Sequence, residues 1–314
     1  MAIQNYSVVT EFILLGLSDD PRTQFILFLV FFIIYLISLL GNVLIIIITV
    51  TASNLQTPMY FFLANLSFLD ICYSSTVVPR MLKDMLSTTK TISYAECVMQ
   101  MYIVLSLGEC ECILLAIIAY DRYIAICYPL HYTTIISRSV CIRTATGTYI
   151  CGFILSYASV EFTWNVGVCG SNKINHFQCE VPEILALGCG NIIMIELLIF
   201  VVGVIVLMIP IAFIIVSYFK IILAVLKITS SAGQRKALST CGSHILVVTL
   251  FYGSAMATYM KPRSQSSPNT DKMFAILYTV VTPMLNPLIY TLRNKEVKAA
   301  LKMIIYKNIV FNKL

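Results

Sequence analysis

Residues 25–50 run for 26 positions without a charge, and six more long apolar stretches follow. A bilayer core takes about 20 apolar residues per helix. Inside lipid every backbone polar group must be satisfied within its own segment, so such runs fold as helices. The seven stretches cover about 25–50, 59–82, 97–127, 140–164, 192–226, 238–260 and 273–292. The fourth is the weakest, being rich in Thr, Ser and Gly. The fifth contains Pro210, and the seventh is expected to break at Pro283 and Pro287. Composition agrees: 59% of the chain is hydrophobic and 11% is charged, against roughly 25% charged in soluble domains. The first stretch follows Asp19, Asp20 and Arg22 rather than a basic segment, and it is longer than a secretory signal. It therefore reads as retained. The expected fold is an all-α membrane protein, a seven-transmembrane helix bundle.

Seven crossings put the two ends on opposite sides, and basic residues choose the sides. With the N-terminus outside, most Lys and Arg fall inside, from Arg122 and Arg138 to Lys307 and Lys313, beside only Asp121 and Glu296 as acids. That orientation also puts the Asn5-Tyr6-Ser7 sugar-acceptor pattern outside, which makes Asn5 the glycosylation candidate. The net charge of +6 is spread over short loops and a tail, so nucleic acid is not an expected partner. After the seventh stretch, Val297, Leu301, Ile304 and Ile305 recur at helical spacing between lysines. They predict a short amphipathic helix on the inner membrane face, with lipid as its partner. The expected division is an extracellular segment 1–24, a seven-span bundle 25–292 and a cytoplasmic helix and tail 293–314.

Several residues resist a purely structural reading. Asp70, Glu109, Glu111, Asp121 and Arg122 all stand inside apolar runs, and an intramembrane charge is a functional candidate by default. Asp70 and Glu111, with Ser and Asn nearby, suit either a hard cation bound through oxygen or a shared proton. Met101, Val104, Leu105, Gly108, Glu109 and Cys112 share one face of a helix. Glu109 and Glu111 are two residues apart, about 200° around a helix, so they face nearly opposite ways. A carboxyl group on an apolar face is expected to be protonated or paired. The eleven cysteines are odd in number, so they cannot all pair with one another.

Ordered motifs now carry a resemblance. Gly41-Asn42 in the first stretch, Asp70 in the second, Asp121-Arg122-Tyr123 ending the third and "NPLIY" at 286–290 resemble the anchors of rhodopsin-like (class A) G-protein-coupled receptors. Longer strings narrow it: "PMYFFLANLSFLDICYSS" at 58–75, "AYDRYIAICYPLHY" at 119–132, "KALSTCGSHILVV" at 236–248 and "PMLNPLIYTLRN" at 283–294. These are similar to the olfactory receptor family's own motifs, and the likeness covers essentially the whole chain. The fourth stretch has no tryptophan in its core, and "LFYGSAM" places Tyr252 where other class A receptors carry a tryptophan. Olfactory receptors share both departures.

The resemblance implies a receptor that binds a small volatile odorant and activates a stimulatory, olfactory-type heterotrimeric G protein, raising cAMP. A class A receptor for a non-odorant metabolite is the alternative. Asp121, Arg122, Tyr123, Tyr218, Asn286, Pro287 and Tyr290 are implied to act in coupling and activation, with Asp121 holding Arg122 at rest. The third-stretch face is implied to line the ligand pocket, joined by Val202, Leu207, Tyr252, Ala255, Met256, Tyr259 and Thr279. A sodium ion near Asp70, Glu111 and Asn286 is implied as well. Cys97, at the outer start of the third stretch, is implied to pair with Cys179 of the long outer loop at about 165–191, and Cys169 with Cys189 within that loop. The other seven cysteines are then free thiols. A transporter would show paired repeats and matching broken helices, and none appear. An enzyme is not expected: His131 and His176 fall in loops, and His244 follows Ser243 directly, so the two do not face each other on a helix.

Overall fold

The computed structural model describes residues 9–168, 171–189, 192–227, 230–260, 267–293 and 296–301. Asn5, Cys169, Ile304 and Ile305 lie outside these residues. Seven long helical spans form one bundle: Pro21–Thr51, Pro58–Leu86, Tyr94–Cys127, Arg138–Trp164, Ile192–Leu226, Ser231–Tyr259 and a composite seventh beginning at Pro268. Their starts carry ordinary stop-and-start chemistry. Asp20 caps the first span through the Thr23 amide, and Pro21 and Pro58 sit where a helix needs no amide hydrogen. Ser93 and Glu96 form a reciprocal capping box at the third. The first and sixth spans begin earlier than their apolar runs, because caps rather than hydropathy set the ends.

Six of these spans are long and apolar enough to cross a membrane. The fourth is absent from that set, since its Thr, Ser and Gly content dilutes it. It is nonetheless a continuous helix, and its hydroxyls are satisfied on its own backbone: Thr148 by Thr144, Ser156 by Gly152 and Thr163 by Ser159. Its small residues let it sit tightly on the third span. A Cβ on Gly152 would stand 2.5 Å from Cys110 Sγ. In the third span 67% of the apolar window is buried, against 11% in the fifth, so the third is the bundle's axis and the fifth faces outward.

The seventh span departs from expectation. Its helix runs through Pro283 and Pro287 in one piece, Thr282–Arg293. The irregularity comes just before, as a π-helical stretch Leu277–Val281 whose last turn closes from Thr282 to Leu277. Pro283 has no amide hydrogen to give the preceding turn, and a widened turn absorbs the loss. Asn42 of the first span donates to the Pro283 carbonyl at 2.9 Å.

One end of the bundle carries structure that the all-α expectation lacked. Strands β1 (Glu11–Leu14), β2 (Thr91–Ser93) and β3 (Lys173–Ile174) form a small sheet in the order β2-β1-β3. Phe12, Leu14, Ile92, Ile174 and Val181 make a second core there with Cys97 and Cys179. Cys97 and Cys179 are disulfide-bonded, with Cα atoms 5.5 Å apart. We call this the disulfide end. At the opposite, Asp–Arg end, residues 296–301 are helical. Val297 and Ala300 there are buried in the main core, so the part of the expected amphipathic face that is described packs on protein. Tyr60 fastens it by donating to Glu296 at 2.8 Å.

Candidate functional site

The third span builds a site at each level of the bundle. Toward the disulfide end, its one-sided face opens on a cavity whose empty space, open solvent included, is about 690 Å³. Val104, Leu105, Gly108, Glu109 and Cys112 line it, with Val202 and Leu207 from the fifth span and Ala255 and Tyr259 from the sixth. Four other expected residues do not. Met101 belongs to the core beneath the small sheet. Tyr252 is buried with its hydroxyl on the Cys112 carbonyl at 2.8 Å, turned to the third span's backbone. Met256 packs against the main core, and Thr279 is buried and bonded to the Ala275 carbonyl. Each shares a span with true lining residues but points to a helix neighbour.

The sequence reading missed Tyr73, Ser159, Val181, Ile199, Gly203, Val206, Phe251 and Tyr278 in this wall. Tyr278 and Phe251 adjoin the expected Thr279 and Tyr252, one position around the helix. The π-helical turn that sets the facing of Tyr278 leaves no local signal. Val181 comes from the long loop, which the disulfide draws over the bundle. The next residue back, Glu180, is buried and accepts from the Tyr278 hydroxyl and the Gln178 amide. Burial pushes its carboxyl up to about 7 against those two hydrogen bonds. Beside it, burial holds His176 neutral, down to about 3.

In mid-bundle, Asp70 and Glu111 are fully buried. Asn286 Nδ2 donates to both oxygens of Asp70, at 3.0 Å each. Both Glu111 oxygens and Asn286 Oδ1 have no hydrogen-bond partner. Among the described residues no three His, Cys, Asp or Glu side chains gather as a metal site. The acceptor set here is two carboxylates and one amide oxygen, and those orphaned acceptors fit a hard cation.

At the Asp–Arg end, the expected Asp121–Arg122 ion pair is absent. Adjacent residues on a helix point apart, and Asp121 instead accepts from Tyr132 of the following loop at 2.7 Å. Arg122 Nε and Asp121 Oδ2 are buried without partners. The Arg122 charge acts on Tyr218, His244 and Tyr290. Tyr218 and His244 share a hydrogen bond at 2.7 Å, while the Tyr290 hydroxyl has no partner. Tyr123 lies under Lys220, 5.4 Å from its ring centre. Pro287 abuts the first span so closely that a Cβ on Gly41 would stand 2.9 Å from it. Cys189 is disulfide-bonded; its expected partner Cys169 lies outside the described residues. The seven cysteines expected to be free are free.

Comparison with known proteins bears on the whole chain. The sequence profile described as "Olfactory receptor" matches residues 31–308. The chain is 47% identical to Olfactory receptor 5AR1 of Mus musculus over 304 residues, which is 97% of this chain and 98% of the relative. It is 47% identical to Olfactory receptor 2D2 of Homo sapiens, over 97% of this chain and 98% of the relative. Against Olfactory receptor 2K2 of Homo sapiens the figure is 45%, over 97% and 96%.

Proposed function

The chain belongs to the olfactory receptor family, and on that premise we propose that a small volatile odorant occupies the third-span cavity and that the Asp–Arg end then engages a stimulatory heterotrimeric G protein, raising cAMP. The observation that carries this is the pairing of two features on one helix. The third span lines a mostly apolar cavity near one end and holds buried, unpartnered polar atoms at the other. A ligand that packs against Leu105, Gly108 and Cys112 acts on the same rigid rod that carries Arg122. Odorant binding is then a population shift between two arrangements of that polar cluster.

The disulfide end faces outside in this reading, with Asn5 glycosylated there, and the Asp–Arg end and residues 293–314 lie in the cytoplasm. Disulfides belong to oxidising compartments, and the basic residues gather at the opposite end. Asp70, Glu111 and Asn286 would hold a sodium ion, which supplies positive charge to two buried carboxylates. Asn286 orients Asp70 for it. The test is a volatile-panel screen with a cAMP readout in cells that carry the chain on their surface. Dose-dependent cAMP to at least one volatile is expected. Silence across a broad panel, with surface expression verified and a control receptor responding, would count against it.

A further inference from the structure

Among the described lining residues Glu109 is the one carboxyl group, and there is no Lys, Arg or His. It is 8% exposed, and its Oε2 has no hydrogen-bond partner. Its carboxyl group lies beside the Ser156 side chain. A serine hydroxyl has one hydrogen to give, and Ser156 gives it to the Gly152 carbonyl at 2.8 Å. With that hydrogen on Gly152, Ser156 bonds Glu109 only by accepting from a protonated carboxyl group; to meet an ionised one it must turn the hydrogen away from Gly152. Two other hydroxyls of the wall are also spent, Ser159 on the Leu155 carbonyl and Tyr278 on Glu180. Glu109 Oε2 is thus a buried acceptor that none of the described hydroxyls of the wall meets, those of Tyr73 and Tyr259 included.

We propose that the cavity selects ligands that donate a hydrogen bond to Glu109 Oε2, alcohols or amines, over ligands of the same shape that only accept, ketones or ethers. This rests on the reading of the cavity as the odorant site. A ligand without a donor leaves a desolvated oxygen unpaired, and sites built around one hydrogen bond discriminate most strongly on that ground. The two donor classes differ in charge. An amine brings a cation to balance a carboxylate, with Tyr73, Phe251, Tyr259 and Tyr278 supplying aromatic faces around it. An alcohol needs only the oxygen lone pair.

The experiment uses the full chain at the cell surface with a cAMP readout. The probes are straight-chain sets of equal length: alcohol, primary amine, methyl ether and methyl ketone. The alcohol or the amine is expected to be about tenfold or more potent than the matched ether and ketone. Glu109→Leu should erase that ratio. Glu109→Gln keeps a carbonyl oxygen in place while its NH₂ meets Ser156, so it should keep an alcohol preference and lose an amine preference, which separates the two sources. Equal potency of donors and ethers in the unsubstituted chain, or a response confined to ethers and ketones, would overturn the inference. So would a donor ratio that survives Glu109→Leu. If that variant fails to reach the surface, the comparison in the unsubstituted chain decides alone. Gly203→Phe tests the underlying reading separately. Gly203 lines the cavity and a Cβ there meets nothing within 4 Å, so a ring at this position has room beside the ligand space. If Gly203→Phe leaves every potency unchanged, the cavity reading fails. If it shifts potency while Glu109→Leu leaves the donor ratio intact, only the present inference fails.

Discussion

At the disulfide end, Phe12 and Leu14 are fully buried, Cys97 is bonded to Cys179, and Gln100 accepts from the Cys179 amide at 3.0 Å. At the Asp–Arg end, Asp121 Oδ2, Arg122 Nε, His244 Nε2 and the Tyr290 hydroxyl are buried with no partner. The disulfide end has unpartnered atoms too, on Trp164, His176 and Gln178. Those three belong to neutral side chains, and Glu109 Oε2 in the cavity wall is unpartnered as well; at both ends some of these side chains are bonded through another atom, His176 and Gln178 at one, Asp121 and His244 at the other. At the Asp–Arg end the unsatisfied atoms include one each of Asp121 and Arg122, an acid and a base at neighbouring positions, and a missing hydrogen bond on such a group costs more. One end is therefore fixed by a covalent bond, a sheet and a core of its own. The other is held in an arrangement that a new set of partners can improve. A receptor needs that division, because the ligand wall must keep its shape while the coupling surface changes.

Substitutions at the two ends should fail in different ways. The largest effect is expected from Cys97→Ser or Cys179→Ser, since loss of a native bridge costs about 2–5 kcal/mol in small secreted domains. Surface labelling should show the receptor absent from the cell surface; normal abundance would break the comparison from its fixed side. Arg122→Ala should do the reverse. Surface abundance stays within about twofold of the original, because Arg122 forms no ion pair with Asp121 for the substitution to break, while odorant-driven cAMP is lost. A full response at matched density would break it from the movable side. Phe12→Ala should cost about 3 kcal/mol and lower the Tm of the purified receptor without changing odorant selectivity at permissive temperature. An altered odorant ranking would show that the sheet reaches the ligand.

The smallest effect concerns pH. Glu180 is pushed from 4.5 up to about 7 by burial, so its contribution to stability is full below about 4.5 and is lost as pH rises through 7. His176 runs the other way: it is held down to about 3, so its contribution is present above 6.5 and lost as pH falls toward 3. Glu180→Gln should flatten the fall in Tm between pH 4.5 and 7 and leave the acid limb to His176. An unchanged Tm profile would mean that Glu180 does not hold the loop to Tyr278.

How far the sequence reached follows from what each signal measures. Hydropathy and helical period depend on one segment at a time, so the seven spans and the third-span cavity face were legible in Val104, Leu105, Gly108, Glu109 and Cys112. The wall contributed by other spans depends on how helices rotate against one another, which leaves no period. Phe251 was therefore missed beside the expected Tyr252, and Tyr278 beside Thr279. The small sheet was invisible because β3 is two residues long and pairs with a strand far away in the chain. The expected Asp121–Arg122 pair failed on a local rule that sequence does contain: neighbours on a helix diverge. Only the fold could supply Tyr132 as the partner Asp121 takes.

The contrast between the two ends is tested most directly by distances between paired spin labels, with and without an activating odorant. A Cys151→Ser background removes the one exposed free thiol among the described cysteines. One label pair goes at the exposed Met99 and Met273 near the disulfide end, the other at Leu130 and Leu238 near the Asp–Arg end. The expected result is an unchanged distance distribution for Met99→Cys with Met273→Cys, and a clear shift for Leu130→Cys with Leu238→Cys when odorant binds. Movement at the disulfide pair with none at the Asp–Arg pair would contradict the account.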